Sequence, residues 1–540
     1  MKKAGWKLLR RALPWMVLAA AYLFSVGSYA LYGQHNLDSD LSSEMVLADL
    51  LNEEGGFLSE NWYYSTELRV VSPVPAYQLG LRLFDSWHAA RTFALALLQA
   101  GMIASFLFMM RKAGFASNTA MYAAAAICLP FSKVHAFVFA HGAFYIVYFM
   151  LSCVVLGLVT DRSGRWEGLR AGMLILLGFI GGMSGIRMPM QLGVPLLMAC
   201  AFAVLAAGRE ADSYRALLRT RQARMGLRAS AMTMAMLAGY VLNEKVLSKK
   251  YSFVSYSGIE TVDFGIQRVL SQIEDMFVYF GYRQEKPLVS IYGLSAAAAI
   301  LIVAFMFVSV CILLRDREKK LTPEERMIPL FAVCAMALGL MINAMTGTDI
   351  NRVYGLSYFL TGLLLAAASM FIALEKMTYR LPGMRTVLML ALTAMFLFQS
   401  KVFVSREYRS TEANYEDFAH WAVDNGYTTG VATFWNANVM TEASDGKLDM
   451  YAYRNWVSDT LYPWLQKKEH FEALPEGKVI VFIDEIEHTD AAPCADEARM
   501  VYEGDGGRGY HFDSMQEVVE TQREFRAELL RQRALQNEAQ

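Results

Sequence analysis

The sequence predicts an α-helical polytopic membrane protein with about eleven transmembrane helices, N-terminus inside and C-terminus outside. Three observations predict it. The 540 residues are 55% hydrophobic and only 19% charged, too apolar for one soluble core of that length. The apolar residues fall in runs of spanning length, and the lysines and arginines are sorted to alternate connections. The net charge of −1 says nothing about a partner, because the charges are sorted by side; no nucleic-acid signature stands out, and the basic residues sit in short loops beside apolar runs.

The first helix follows the basic start MKKAGWKLLRR and is retained: its apolar run is long enough to span, and no small-residue cleavage site precedes the acidic segment after it. The remaining spans begin near Ala89, Asn118, Gly142, Leu169, Met188, Leu227, Ile291, Met327, Val353 and Met384, the first near Leu13. Phe131 to Ala143 fits either the third or the fourth helix, or a re-entrant turn. With the N-terminus inside, the inner connections (Lys2–Arg11, Arg111–Lys112, Asp161–Arg170, Arg209–Arg228, Arg315–Arg326 and Lys376–Arg385) hold more than twice the lysines and arginines of the longer outer loops.

Residues 1–404 therefore form a transmembrane domain with two large outer loops, 33–88 and 243–290. The first mixes an apolar helical pattern at Met45, Val46, Leu47, Leu50 and Leu51 with the turn signal EEGG, so its helices are expected on the membrane surface. FGIQRVLSQI in the second has the same interfacial character. Residues 405–540 read as a small extracytoplasmic α/β domain, with a helix at YEDFAHWAV, strands at GVATFW and VIVFI, and a charged helix from Ser514 onward. Of the six cysteines, Cys128, Cys153, Cys200, Cys311 and Cys334 lie in or beside apolar runs and only Cys494 lies outside them. No structural disulfide and no cysteine metal site is expected.

Charge inside a bilayer is costly and marks function. Here the predicted helices carry almost none at mid-depth, and Arg187, His141 and Arg352 sit at outer helix ends, which points to a site at the outer surface. The first outer loop, LDSDLSSEMVLAD then NWYYSTELRV, gathers Asp38, Asp40, Glu44, Asp49 and Glu67 directly after the first span. Asp38, Ser39 or Asp40 can cap the following helix. Capping alone does not explain so many carboxylates. Asp40 and Glu44, four residues apart, share a helix face, a pairing that costs stability unless a cation, a proton or an acceptor hydroxyl uses it.

An Asp soon after the first span, a short amphipathic helix and a later acidic residue resemble the first outer loop of GT-C glycosyltransferases, the superfamily of protein O-mannosyltransferases and the lipid A aminoarabinose transferase. By that resemblance the leading Asp falls on Asp40, and the acidic position of a Tyr-Phe-Glu-Lys-Pro-Pro pattern falls on Glu67. The Lys and the Pro pair of that pattern are missing, although Pro73 and Pro75 follow. DINRVYG at 349–355 is similar to the Arg-Tyr motif that opens a late helix in such enzymes. The resemblance implies that Arg352, with Tyr354, holds the phosphate of a polyprenyl-linked sugar donor.

The activity this implies is an inverting sugar transfer to a cell-surface glycan or glycopolymer, at the outer face of a bacterial cytoplasmic membrane. Such a transfer needs a base for the acceptor proton, here Asp40 with Asp38 as the alternative, and a cation for the developing phosphate charge, here Arg352 with Arg187 second. The blander role of both arginines is that of interface anchors. His141 and Lys133 are expected to orient substrate, and Tyr64, with Trp62 and Tyr63, to stack on a sugar unless it is part of an aromatic belt. The resemblance implies no firm cofactor; a divalent cation at Asp38, Asp40, Glu44 or Glu67 is the metal option, since oxygen ligands suit magnesium, calcium or manganese. The competing classes are a transporter or lipid flippase, against which the absence of repeats and mid-membrane charge counts, and a non-catalytic scaffold.

Overall fold

The computed structural model describes residues 2–163, 166–209, 211–254, 265–316, 320–346, 352–409, 415–458, 460–487, 494–504 and 506–538, and for 2–10, 352–354 and most of the last residues the backbone path alone. Among the described residues, eight helices are long and apolar enough to cross a membrane, from Arg11–Tyr32 to Pro382–Tyr408. A ninth crossing arises if Ser117–Cys128 and Lys133–Ala140 count as one span; they meet at a bend of 97°. That bend falls in the stretch the sequence leaves between two helices and a re-entrant turn. Its cause is local: Pro130 interrupts the ladder and Ser132 starts a new helix by accepting from the His135 N–H at 3.2 Å. The other two predicted spans are the helices Ile146–Thr160 and Glu167–Gly182, 15 and 16 residues long.

Glu167–Gly182 and Arg221–Lys245 pack almost backbone to backbone. A Cβ on Gly178, Gly182 or Gly239 would collide with the main-chain oxygens of Met232, Met236 and Phe179 respectively. Only glycine permits that approach.

The first outer loop differs from the expected surface helices. Ser39–Glu54 starts at Asp38, whose carboxylate caps it by accepting from the Leu41 N–H at 3.0 Å, and ends at Gly55 with φ 74°. Met45, Val46, Ala48, Leu50 and Leu51 are all buried, in a cluster with Trp62, Tyr77 and Trp87. The helix is sandwiched in protein because a second layer covers it. That layer is the C-terminal domain, through its helix Phe434–Ala443.

Two short strands, β1 (Tyr63–Tyr64) and β2 (Ser252–Phe253), tie the two outer loops in parallel. The sheet after residue 415 contains β3 (Thr429–Thr433), β4 (Asp449–Tyr453), β5 (Val479–Asp484), β6 (Met500–Gly504) and β7 (Gly507–Phe512), in the order β4-β3-β5-β7-β6. The first three run parallel and β7 and β6 are antiparallel. The expected strand GVATFW stops at Thr433, and Phe434 and Trp435 begin the helix Phe434–Ala443 instead. That helix lies on Ser39–Glu54: Val439 packs with Leu37 and Leu41. Its Glu442 makes a two-bond pair with Arg91 at 2.5 and 2.7 Å, both side chains almost fully buried. Arg91 also donates to the Leu41 carbonyl at 3.1 Å, so the first turn after Asp38 is held to the sheet domain.

Candidate active site

The carboxylates of the first outer loop divide into two groups. Glu54 accepts from the Ser59 hydroxyl and the Asn61 amide at 2.9 and 3.0 Å and so serves the loop itself. Asp38, Asp40 and Glu44 share the first two turns of Ser39–Glu54, half-buried under the C-terminal layer. Trp464 from that layer donates a hydrogen bond to Asp40. Tyr415, from the helix Tyr415–Asp424, lies within electrostatic reach of Asp38.

Crowding these acids out of water has a predictable result. Burial, reinforced by the negative charge of Asp38, pushes the Asp40 carboxyl up to about 7, against the opposing pull of Arg69 and the Trp464 hydrogen bond. Burial likewise pushes Glu44 up to about 7, although Arg69 and Arg91 draw it down. Asp38 is raised less: burial lifts it, and the N–H groups of Leu41 and Asp40 restrain it. A carboxylate poised near neutrality is what a proton acceptor needs.

Arg69 joins this acidic turn to a second ion pair. It lies 3.9 Å from Glu44 and within reach of Tyr148 and Tyr358, which also sense Glu67 and Arg187. Arg187 is paired with Glu67, donates to the Tyr145 hydroxyl at 2.8 Å, and places its guanidinium 5.4 Å from the ring centre of Tyr358. Its side chain is 19% exposed, so it is held within the protein and does not act as a free interface anchor. The backbone around Glu67 is fixed from two sides. The Ser184 hydroxyl accepts from the Val71 N–H at 2.7 Å, and the Asn243 amide donates to the Leu68 carbonyl at 3.0 Å.

Gly185 sits at φ +80° with its missing Cβ aimed at the Glu67 carboxylate. Gly185→Ala is therefore expected to be strained twice, by backbone and by contact, lowering the unfolding temperature in detergent and weakening any anion held by Arg187. Thermal melts of the purified variant, read with and without a lipid phosphate, check both.

The 3-10 helix Arg352–Phe359 delivers Tyr358 to this group. Asn343 donates to the Gly355 carbonyl at 2.9 Å and Gln191 to the Ser357 carbonyl at 3.5 Å, anchoring its turns. The side chains of Arg352 and Tyr354 lie outside the described residues, as do Asp349, Ile350 and Asn351.

The other expected site residues separate. Lys133 is exposed and acts on Asp38 as a nearby positive charge. His141 is buried beside Tyr29 and Tyr408 and donates to the Ser25 carbonyl at 3.2 Å, a packing role against the first helix. Tyr64 serves the loop itself: buried, it accepts from the Ser59 N–H at 2.9 Å and packs on Tyr251 and Phe253. Sequence reasoning missed Arg69, Tyr145, Tyr358 and Trp464. Arg69 was visible only as one charge among the outer loops, and nothing in the chain's order links Trp464 to Asp40.

Among the described residues, the one trio placed to hold a metal ion is Asp449, Glu469 and His470, away from the acidic turn. The Lys467 ammonium stands 3.5 Å from Asp449 and 3.4 Å from Glu469, where a divalent ion would go.

No protein-family model matches the chain, and no curated protein matches it in sequence. Solved structures do match in fold. ArnT from Cupriavidus metallidurans in the apo state superposes with a TM-score of 0.53 at 12% identity, over 95% of this chain and 98% of that one. The same protein bound to undecaprenyl phosphate gives 0.51 at 12% identity, over 94% and 98%. The apo oligosaccharyltransferase of Archaeoglobus fulgidus gives 0.52 at 13% identity, over 94% of this chain and 75% of that one. The fold described above is the multi-pass helical fold that these neighbours share.

Proposed function

We propose, with the GT-C fold as premise, that this protein is an inverting glycosyltransferase that moves a sugar from a polyprenyl phosphate to a hydroxyl of a cell-surface glycan or glycopolymer. The observation that carries the reading is Asp40: a carboxylate pushed to about 7 beside Asp38 and Glu44, and linked through Arg69 to the Arg187–Glu67 pair. Asp40 accepts the proton of the acceptor hydroxyl as its oxygen bonds to the anomeric carbon from the face opposite the phosphate. The bond from that carbon to the phosphate oxygen breaks, and the configuration inverts. The charge left on the phosphate is met by Arg187 and Arg69; Arg352 and Tyr354 are proposed as further phosphate ligands on the sequence motif alone.

A neighbour of the same fold bound to undecaprenyl phosphate supports a polyprenyl carrier. In this reading the chain makes eleven crossings with the N-terminus in the cytoplasm of a bacterial cell. Residues 405–540 and the acidic turn then face outward, and the domain boundary falls near 404.

The test is binding and turnover with purified protein and undecaprenyl phosphate. Arg187→Gln is expected to weaken undecaprenyl phosphate roughly tenfold or more. Arg187→Lys, which keeps charge but loses the forked geometry, should recover part of that loss. If Arg187→Gln bound the lipid phosphate as the native protein does, the donor site would have to lie elsewhere.

A further inference from the structure

At the opposite end of the bundle from Asp40, the helix Ile146–Thr160 ends where Arg221–Lys245 and Pro323–Met345 begin. A shallow concave pocket opens between these ends. Arg221, Arg224 and Arg228 line it from successive turns of one helix face, and Arg162 lines it from the loop opposite.

The charges there do not balance. Each carboxylate is already shared by two cations. Asp161 is 3.0 Å from both Lys112 and Arg170. Glu167 is 2.9 Å from Arg170 and 2.8 Å from Arg228. Glu324, almost fully buried, is 3.5 Å from Arg162 and 3.4 Å from Arg221. That leaves Arg224 on the rim, with no acidic partner among the described residues. The pocket therefore presents excess positive charge and free guanidinium N–H groups.

The surroundings are apolar and exposed. Trp166 and Leu169 project at 77% and 61% exposure on one side of the pocket, and Leu227 at 73% on the helix of the arginines. Tyr214 and Leu218, on the short helix that precedes it, project at 74% and 54%. An arginine pocket bordered by outward-facing aromatic and aliphatic groups at a helix-bundle end suits a molecule with an anionic head and an acyl body.

We infer that this pocket binds the phosphate headgroup of an anionic phospholipid of the inner leaflet, with Arg221 and Arg224 as its ligands. Guanidinium forks match phosphate oxygens, and the flanking apolar side chains accept the first carbons of the chains. Nothing in this inference depends on the sugar-transfer chemistry at the far end.

The experiment is native mass spectrometry of the full-length protein, with detergent titrated against cardiolipin, phosphatidylglycerol or phosphatidylcholine. The native protein should retain the two anionic lipids in preference to phosphatidylcholine. Arg224→Gln, which breaks no ion pair among the described residues, should weaken that retention roughly tenfold, with Arg224→Lys between the two. Adding Arg221→Gln should abolish the preference. Equal retention of all three lipids by the native protein would overturn the assignment, as would unchanged retention by the double variant. Inorganic phosphate at millimolar concentration should not displace the lipid; full displacement would assign the pocket to a soluble phosphate compound and overturn the lipid reading.

Discussion

Asp40→Asn is expected to abolish sugar transfer while making the protein harder to unfold at pH 8. The loss follows from the role: removing a positioned base costs on the order of 10²- to 10⁴-fold in rate. The gain follows from the sign of the proton linkage. In the folded protein the Asp40 carboxyl sits near 7, well above its ordinary value of 3.8. The folded state therefore keeps a proton that the unfolded chain has released between those two values. Its contribution to stability is complete below about pH 4 and is lost as pH rises through about 7. Above that, the ionised carboxylate is a burden, which the neutral amide removes, by an amount on the order of 1–3 kcal/mol. Melting curves of native and variant protein should therefore separate most at pH 8, draw together as pH falls, and converge below about pH 4. Native turnover should climb with pH and level off above about 7. A variant that transfers sugar at the native rate would remove Asp40 from the chemistry, whatever its stability.

The second large effect concerns the clamp between the membrane domain and the sheet domain. Arg91 and Glu442 are 1% and 3% exposed at their side chains, and each is the other's charge partner. Glu442→Gln strands a guanidinium out of water, and breaking such a pair from one side costs about 3–5 kcal/mol. The expected result is a lower melting temperature and rapid proteolytic release of residues after 405. Replacing both partners with methionine should restore most of the stability, because no isolated charge remains. The double variant separates the clamp's two roles. If it is stable yet slow, the hydrogen bond from Arg91 to the Leu41 carbonyl matters for setting the Asp40 turn. Unchanged melting of Glu442→Gln would show that the buried pair carries no such weight.

Much of the membrane architecture was legible because a bilayer imposes length and apolarity on every span, and the predicted starts fall on or beside helices. Asp38, Asp40 and Glu44 stood out as a group for a related reason: capping of the next helix accounts for Asp38 and leaves Asp40 and Glu44 without a structural role. Arg91 was not. It lies at the start of a predicted span, and its partner Glu442 is contributed by a domain that follows all the spans. Tyr64 misled in the opposite direction, since an aromatic pair in an outer loop has the same composition whether it meets a sugar or, as here, Tyr251 and Phe253. The buried setting of Ser39–Glu54 also escaped, because amphipathic spacing reports an apolar face and not what covers it.

The glycine-lined contact between Glu167–Gly182 and Arg221–Lys245 has a mechanical corollary. Two rods locked main chain to main chain have no side chains between them to act as bearings, so they translate together or not at all. Gly185 and Arg187 follow directly from the first rod, and Asn243 closes the second against Leu68. One wall of the cleft is thus an anvil. Whatever yields to a bulky substrate must come from the wall opposite, where the Asp40 turn hangs from the C-terminal domain by the Arg91–Glu442 pair, the Trp464 hydrogen bond and the packing of Val439.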